Sequence, residues 1–264
     1  MHPVLLRFGE FRVFSFGILV AIGGILSCLI WYAKREKMGL KSEDDFWLFI
    51  NVFLLSGYLG GRLLFIIEYV PFRFSAVWSA LFTLTQGFSL LGGFPAVFAG
   101  LWLLARRRRL PFLMLLDHVG AVVPFWHAFA RLGCFAAGCC FGRPTGLSWA
   151  VRFTDPACLV DRSLIGVPLH PTQLYEAFGE SVIFLVLYFM ILPRTEDSRL
   201  PGGLVGGLYL SAYGVLRFGI EFLRGDTVPG VLRMTGGQAL SLGLICAGLA
   251  MIAWASRKPA CTPS

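Results

Sequence analysis

Charge is scarce in this 264-residue sequence. Asp, Glu, Lys and Arg make up 14% of it, where soluble domains carry about 25%. That scarcity excludes an ordinary soluble fold, because a sphere of this size cannot hide so much apolar surface. Acidic groups are the scarcer kind: 15 Asp and Glu stand against 23 Lys and Arg, a net charge of +8. On a soluble chain that excess would suggest nucleic acid. Here the basic residues lie between apolar runs, which suits anionic head groups of membrane lipids and topology signals and leaves no nucleic-acid partner. Cysteine numbers seven, an odd count from which no disulfide framework follows. Cys28 and Cys246 sit inside apolar stretches as small packing residues. The sequence shows no internal repeat, coiled-coil heptad or low-complexity tract. The short apolar core of a cleavable signal peptide is also missing, since the first apolar run begins near Phe11 and continues past Ile30.

What the sequence has in quantity is apolar side chain: 56% hydrophobic residues, 25 of them Phe, with a mean hydropathy of +0.72. This predicts an integral membrane protein, all-α and polytopic, with residues 1–264 forming one domain. A spanning helix needs about 20 mostly apolar residues. Seven windows qualify: 11–32, 46–70, 88–105, 111–130, 174–192, 203–220 and 237–255. The fourth is the weakest, carrying Asp117, His118 and His127. A polar segment rich in Gly and Cys, 131–172, separates the fourth and fifth. The odd-numbered loops and the C-terminal tail hold twelve Lys and Arg, with Arg106–Arg109 the clearest anchor, and the N-terminus and even loops hold eight. The bias predicts a cytoplasmic C-terminus, with the N-terminus and 131–172 outside.

Ionisable groups at membrane depth are costly, so each is a functional candidate. Arg62 and Glu68 fall in the second window, Asp117 in the fourth, Glu176 and Glu180 at the start of the fifth. In the sixth, Arg217, Glu221 and Arg224 are spaced four and three apart, so a continuing helix stacks them on one face. Two readings stand: an interior ion pair with one snorkelling Arg, or a site. Arg131 favours the site. It opens a stretch with Gly133, Gly138 and Gly142, where backbone can approach a ligand closely. Arg grips phosphate oxygens through paired, charge-assisted hydrogen bonds, so several Arg near the membrane surface suit a phospholipid head group. Arg62 either joins them or neutralises Glu68. The stretch His170 to Glu176 starts the fifth window with Pro171 in the first helical turn. Its plain reading is a helix start with an interfacial Tyr. Cys134, Cys139 and Cys140, spaced five and one apart, do not match zinc-ligand spacing. They read as small packed residues and not as metal ligands; a disulfide among them and Cys158 stays open outside the cytoplasm. His118 and His127 lie on opposite helix faces and make no ligand pair.

Taken in order, the motifs are Gly61-Arg62-Leu63, Gly92-Gly93, Asp117 with Pro124, Arg131-x-Gly-x-Phe-x-x-Gly-x-x-x-Gly142, His170-Pro-x-Gln-Leu-Tyr-Glu176 and Tyr213-Gly-x-x-Arg217-x-x-x-Glu221-Phe-x-Arg224. With these the chain resembles the prolipoprotein diacylglyceryl transferase family. The resemblance implies a seven-span enzyme of the bacterial inner membrane. Such an enzyme moves the diacylglyceryl group of phosphatidylglycerol to the lipobox cysteine thiol of a prolipoprotein signal peptide, releases glycerol phosphate and needs no cofactor. It implies that Arg131 binds phosphatidylglycerol, that Arg217 and Glu221 are the essential sixth-span pair, and that Gly142 is an essential signature glycine. Arg62, Arg224 and Tyr213 join the substrate-binding set. Where the family places a His proposed as thiol base, this chain has Leu91; Cys134 and Cys139 replace Asn and Glu, and Phe16 replaces a Tyr. The phosphate-binding half is kept while the proton-handling half is altered, which makes His170 or Glu221 the replacement base. A divergent paralog on the same scaffold, with another acceptor or a lipid-binding role alone, is the alternative; a transporter using the charged residues as a pathway is the third reading.

Overall fold

The computed structural model describes residues 2–9, 11–69, 78, 90–227 and 234–257. In chain order its elements are strands β1 (Val4–Phe8) and β2 (Phe11–Phe14), helices α1 (Ser15–Ala33), α2 (Glu43–Tyr69), α3 (Leu90–Arg108) and α4 (Phe112–Ala137), strands β3 (Val151–Arg152) and β4 (Pro168–Leu169), and helices α5 (Thr172–Leu185), α6 (Leu204–Glu221) and α7 (Gly236–Ser256). The chain divides into two compact units. One takes the residues up to 33 and those from 116 onward; the other is Lys34–Leu115.

In the unit Lys34–Leu115, α2 starts where the Ser42 hydroxyl accepts the Asp45 N–H at 3.1 Å, a side-chain cap. Acidic Glu43, Asp44 and Asp45 fill its first turn and basic Arg106, Arg107 and Arg108 the last turn of α3, each complementing its helix dipole. The two helices meet through small residues four apart. A Cβ on Gly60 would overlap Ala96 and the Gly92 carbonyl, and one on Gly100 would sit 3.0 Å from Ser56. Lipid supplies no hydrophobic drive between helices, so close backbone approach is what holds such a pair.

In the other unit two indoles tie α1 to α4: Trp126 Nε1 donates to Val20 O at 2.9 Å and Trp31 Nε1 to His118 O at 3.1 Å. Small residues again join α6 to α7, where a Cβ on Gly214 would meet Ser241 O at 2.8 Å and one on Gly207 would meet Ile252 at 2.8 Å. Helix α5 runs on through a π-helical stretch, Val186–Ile191, into a last α-turn, Leu192–Glu196. Pro193 has no N–H to offer the carbonyl four residues back, and the widened turn accommodates it. The segment between α4 and α5 folds on its own small core of Phe141, Phe153, Cys158, Val160 and Leu169.

Five described helices are long and apolar enough to cross a membrane: Ser15–Ala33, Glu43–Ile67, Phe112–Ala137, Thr172–Glu196 and Gly236–Ser256. Windows 88–105 and 203–220 also form helices, but Arg106–Arg108 in one and Arg217 with Glu221 in the other dilute their apolar character. The fourth window is the least apolar of these five, as expected, and the most buried, 56% against 17–28% for the other four, because its polar groups face protein. The helix expected from residue 11 begins at Ser15; Phe11–Phe14 pairs with Val4–Phe8 through a turn at Gly9, whose φ is +61°. Thus the all-α expectation misses two small two-stranded sheets. Their strands are too short for an apolar period to register.

Candidate active site

Arg131 lies within α4, one and a half turns before its end, and not at the start of a loop as the sequence suggests. Its Nη2 is 2.8 Å from Glu176 Oε1, and its Nε donates to His127 Nε2 at 3.2 Å. Four residues separate His127 from Arg131, so one helix face carries both. Because His127 Nε2 accepts, its proton sits on Nδ1, which lies 2.6 Å from Glu180 Oε1. Glu176 and Glu180 are likewise one helical turn apart, on α5, and both are buried. Tyr213, fully buried on α6, donates to Glu176 at 3.5 Å and meets the His127 ring edge at 5.0 Å between centroids. Arg131, His127, Glu176, Glu180 and Tyr213 therefore form one polar cluster drawn from three helices.

Arg217 and Glu221 make the expected i,i+4 pair, Nη2 to Oε2 at 2.7 Å. Nη1 of Arg217 is buried with no hydrogen-bond acceptor among the described residues. Glu221 also takes a hydrogen bond from Thr235 Oγ1 at 2.6 Å. Thr235 is the N-cap of α7: its hydroxyl accepts the Gln238 N–H at 3.2 Å, while Gln238 Oε1 takes the Thr235 N–H at 3.0 Å. That capping box fixes the hydroxyl proton toward Glu221, and the carboxylate rests at the positive end of a helix. A Cβ on Gly237 would lie 2.5 Å from Glu221 Oε2, so any larger residue there would push the carboxylate aside. His127 and Tyr213 lie within electrostatic reach of both Arg131 and Arg217. Arg224 does not share the stripe. Helix α6 ends at Glu221, and Arg224 instead makes a bidentate pair with Asp226, at 2.8 and 2.6 Å.

Helix α4 ends in a Schellman turn. Gly138, at φ +77°, donates its N–H to Phe135 O, and the Cys139 N–H donates to Cys134 O at 3.2 Å. This geometry sets the residue after the left-handed position against the one five back, so Cys139 lies over Cys134. Cys140, at φ +61°, turns back toward both, and the three sulfurs lie within 4.8 Å of one another. The Cys140 thiol is pulled below its ordinary range by hydrogen bonds from Cys134 and Cys139, with Arg224 and Arg131 adding to the effect, while hydrogen bonds with Cys134 and Cys140, and then burial, push Cys139 up. No disulfide forms among the described cysteines, and Cys158 packs in the segment's own core.

Beyond the cysteines the backbone is clasped on both sides. Gly142 N–H donates to His170 O at 3.1 Å, Arg143 N–H to Leu223 O at 2.8 Å and Gly225 N–H to Phe141 O at 3.0 Å. A Cβ on Gly142 would stand 2.5 Å from His170 Cβ and 2.6 Å from His170 O; only glycine fits. Gln173 and Thr172 complete the clasp, donating to Cys139 O at 2.7 Å and Cys140 O at 2.8 Å. His170 Nδ1 lies 3.4 Å from the Tyr175 hydroxyl, which also accepts from Trp149 Nε1 at 2.8 Å.

Of the predicted residues, Arg131, Arg217, Glu221 and Tyr213 belong to the polar clusters, while Gly142 and His170 line the clasp. Arg62 is buried in the unit Lys34–Leu115, its guanidinium 5.6 Å from the Phe65 ring. The side chains of Glu68 and Leu91 lie outside the described residues. Phe16 packs against Gly133, where a Cβ would be 3.0 Å from its ring, and offers no hydroxyl. Sequence reasoning did not place His127 and Thr235 in the site, and it offered Glu176 and Glu180 only as charged candidates, not as partners of Arg131 and His127. The signal for three of them was the four-residue spacings His127 to Arg131 and Glu176 to Glu180. Asp117 is no site residue. Its carboxylate accepts the Gly203 and Gly206 N–H groups at 2.7 and 3.0 Å and caps α6 from another helix.

A family model described as prolipoprotein diacylglyceryl transferase matches residues 3–254. The phosphatidylglycerol–prolipoprotein diacylglyceryl transferase of Clostridium tetani is 32% identical over 94% of this chain and 96% of its own. The proteins of the same name from Cupriavidus pinatubonensis and Xanthomonas euvesicatoria are 33% and 37% identical, over 98% and 100% of this chain and 92% and 94% of theirs.

Proposed function

The chain belongs to the prolipoprotein diacylglyceryl transferase family, and from that membership we propose that it transfers the diacylglyceryl group of phosphatidylglycerol to the lipobox cysteine of a prolipoprotein. The observation that carries this is the buried Nη1 of Arg217, which has no acceptor among the described residues. A buried cationic N–H without an acceptor is costly, and a phosphate oxygen supplies one through a charge-assisted bond.

In the proposed reaction the acceptor sulfur attacks the glycerol carbon and the carbon–oxygen bond to phosphate breaks. The electron pair leaves with the glycerol phosphate, and the thiol proton passes to a base. Arg217 and Arg131 stabilise the charge growing on the leaving phosphate. Glu221, anchored by Thr235 and the start of α7, holds Arg217 in place. Arg131 is closed on Glu176 at 2.8 Å, so the head group displaces that carboxylate as it binds. Of the two bases considered, His170 suits the task better. Glu221 is already committed to Arg217 and Thr235, whereas among the described residues the His170 ring meets the Tyr175 hydroxyl alone, at 3.4 Å. The acyl chains run along an apolar groove of about 690 Å³ lined by Tyr175, Gly179, Val182, Leu208, Ala212 and Leu216.

The proposal includes seven spans across the bacterial inner membrane, with α3 and α6 joining the five more apolar helices, and residues 1–264 acting as one domain. The C-terminus faces the cytoplasm and the clasped segment the outside. Purified protein incubated with phosphatidylglycerol and a lipobox peptide is expected to yield a thioether-linked diacylglyceryl peptide and glycerol phosphate. No product, beside a positive-control enzyme active in the same detergent, would remove the proposal.

A further inference from the structure

Three sulfurs from Cys134, Cys139 and Cys140 lie within 4.8 Å of one another, although nothing in their spacing of five and one matches a zinc loop. The cause is the backbone. The Schellman turn at Gly138 lays Cys139 over Cys134, and the left-handed Cys140, at φ +61°, folds its side chain to the same point. A non-glycine residue in that conformation persists only where its surroundings hold it. Here Thr172 and Gln173 pin the carbonyls of Cys140 and Cys139 at 2.8 and 2.7 Å. These carbonyl bonds, none of which uses a sulfur, set the trio in place beside the Cys139 Sγ contact to Cys134 O at 3.8 Å.

We propose that Cys134, Cys139 and Cys140 form a three-coordinate site for a soft, thiophilic cation, monovalent copper above others. Three sulfurs around a metal at about 2.3 Å stand about 4.0 Å apart in a plane, and the observed limit of 4.8 Å needs only small rotations of side chains. The donor set is all sulfur, which selects soft cations. Structural zinc takes four protein ligands, and three-ligand zinc sites include a nitrogen donor; the described group holds three Cys and no His, Asp or Glu. Cys134 is buried while Cys139 and Cys140 are half-buried, so a cation reaches the site from one side. The nearby guanidinium groups of Arg131 and Arg224 offset the negative charge of a trithiolate.

The test is a titration of the full chain, reduced and in detergent, with monovalent copper against the competing chelator bicinchoninate. One equivalent per chain is expected to bind, and X-ray absorption of the loaded protein is expected to show sulfur neighbours alone. Cys140→Ser is expected to lower the affinity at least tenfold, while Cys158→Ser, with the same elution profile in size-exclusion chromatography, keeps the wild-type value. Retention of copper by Cys140→Ser equal to wild type would overturn the proposal. So would a nitrogen or oxygen neighbour at the metal, zinc bound more tightly than copper, or thiols of the trio joined in a disulfide that resists the reductant.

Discussion

Asp117 and Arg217 are both ionisable residues on largely apolar helices, yet their surroundings assign them opposite work. Asp117 takes two backbone N–H bonds at the start of α6 and has nothing left to offer a ligand. Asp117→Asn leaves one of the two N–H groups facing an amide NH2 and is therefore expected to lower stability by about 1–3 kcal/mol, seen as a lower Tm with transfer per folded molecule unchanged. Arg217 keeps one nitrogen without an acceptor among the described residues. Its orientation depends on Glu221, and that of Glu221 on Thr235. Thr235→Val removes one hydrogen bond to a charged group, a loss expected to slow transfer about tenfold, whereas Thr235→Ser is expected to restore the rate. Cys139→Ser is expected to leave phosphatidylglycerol binding unchanged, because the contact that Gln173 makes is to the Cys139 carbonyl; loss of lipid binding would show that the sulfur itself touches the head group. At this scale the sequence was half legible. The four-residue spacing of Arg217 and Glu221 announced their pairing. The partnership of Arg131 with Glu176 joins residues 45 positions apart on different helices, and no local spacing encodes it.

At the scale of elements, the clasp around Gly142 is the part most sensitive to volume. One added methyl would sit 2.5 Å from His170 Cβ, so the backbone carrying His170 has to move. Gly142→Ala is expected to cut transfer about a hundredfold, the penalty of a displacement near 1 Å at a reacting centre, with faster proteolysis of the segment between α4 and α5. Helix positions were readable from apolar length because the bilayer demands it. Helix ends were less so. The Schellman turn at Gly138 was written in the sequence as a glycine followed by two cysteines, with a third four residues before it, but spacing rules for zinc do not describe a helix cap, and they separated sulfurs that the cap unites. Arg224 was misplaced for a related reason: a three-residue step puts it on the Glu221 face only while the helix continues, and α6 stops first.

For the whole molecule, composition alone indicated the membrane, and the order of the motifs indicated the family. The small strands and the division into two compact units did not show in apolar periodicity, since both depend on contacts between distant residues. Membership predicts that the gene will support growth of a strain depleted of its own transferase. Failure despite good membrane expression would favour a paralog with another acceptor. The central claim is that Arg131 and Arg217 grip the same lipid phosphate, and the most direct measurement is a double-mutant cycle on phosphatidylglycerol affinity in nanodiscs. Arg131→Ala and Arg217→Ala are each expected to weaken binding at least tenfold, and the double variant to fall well short of their product, as contacts to one shared group do. Wild-type affinity in either single variant, or losses that simply multiply, would contradict it.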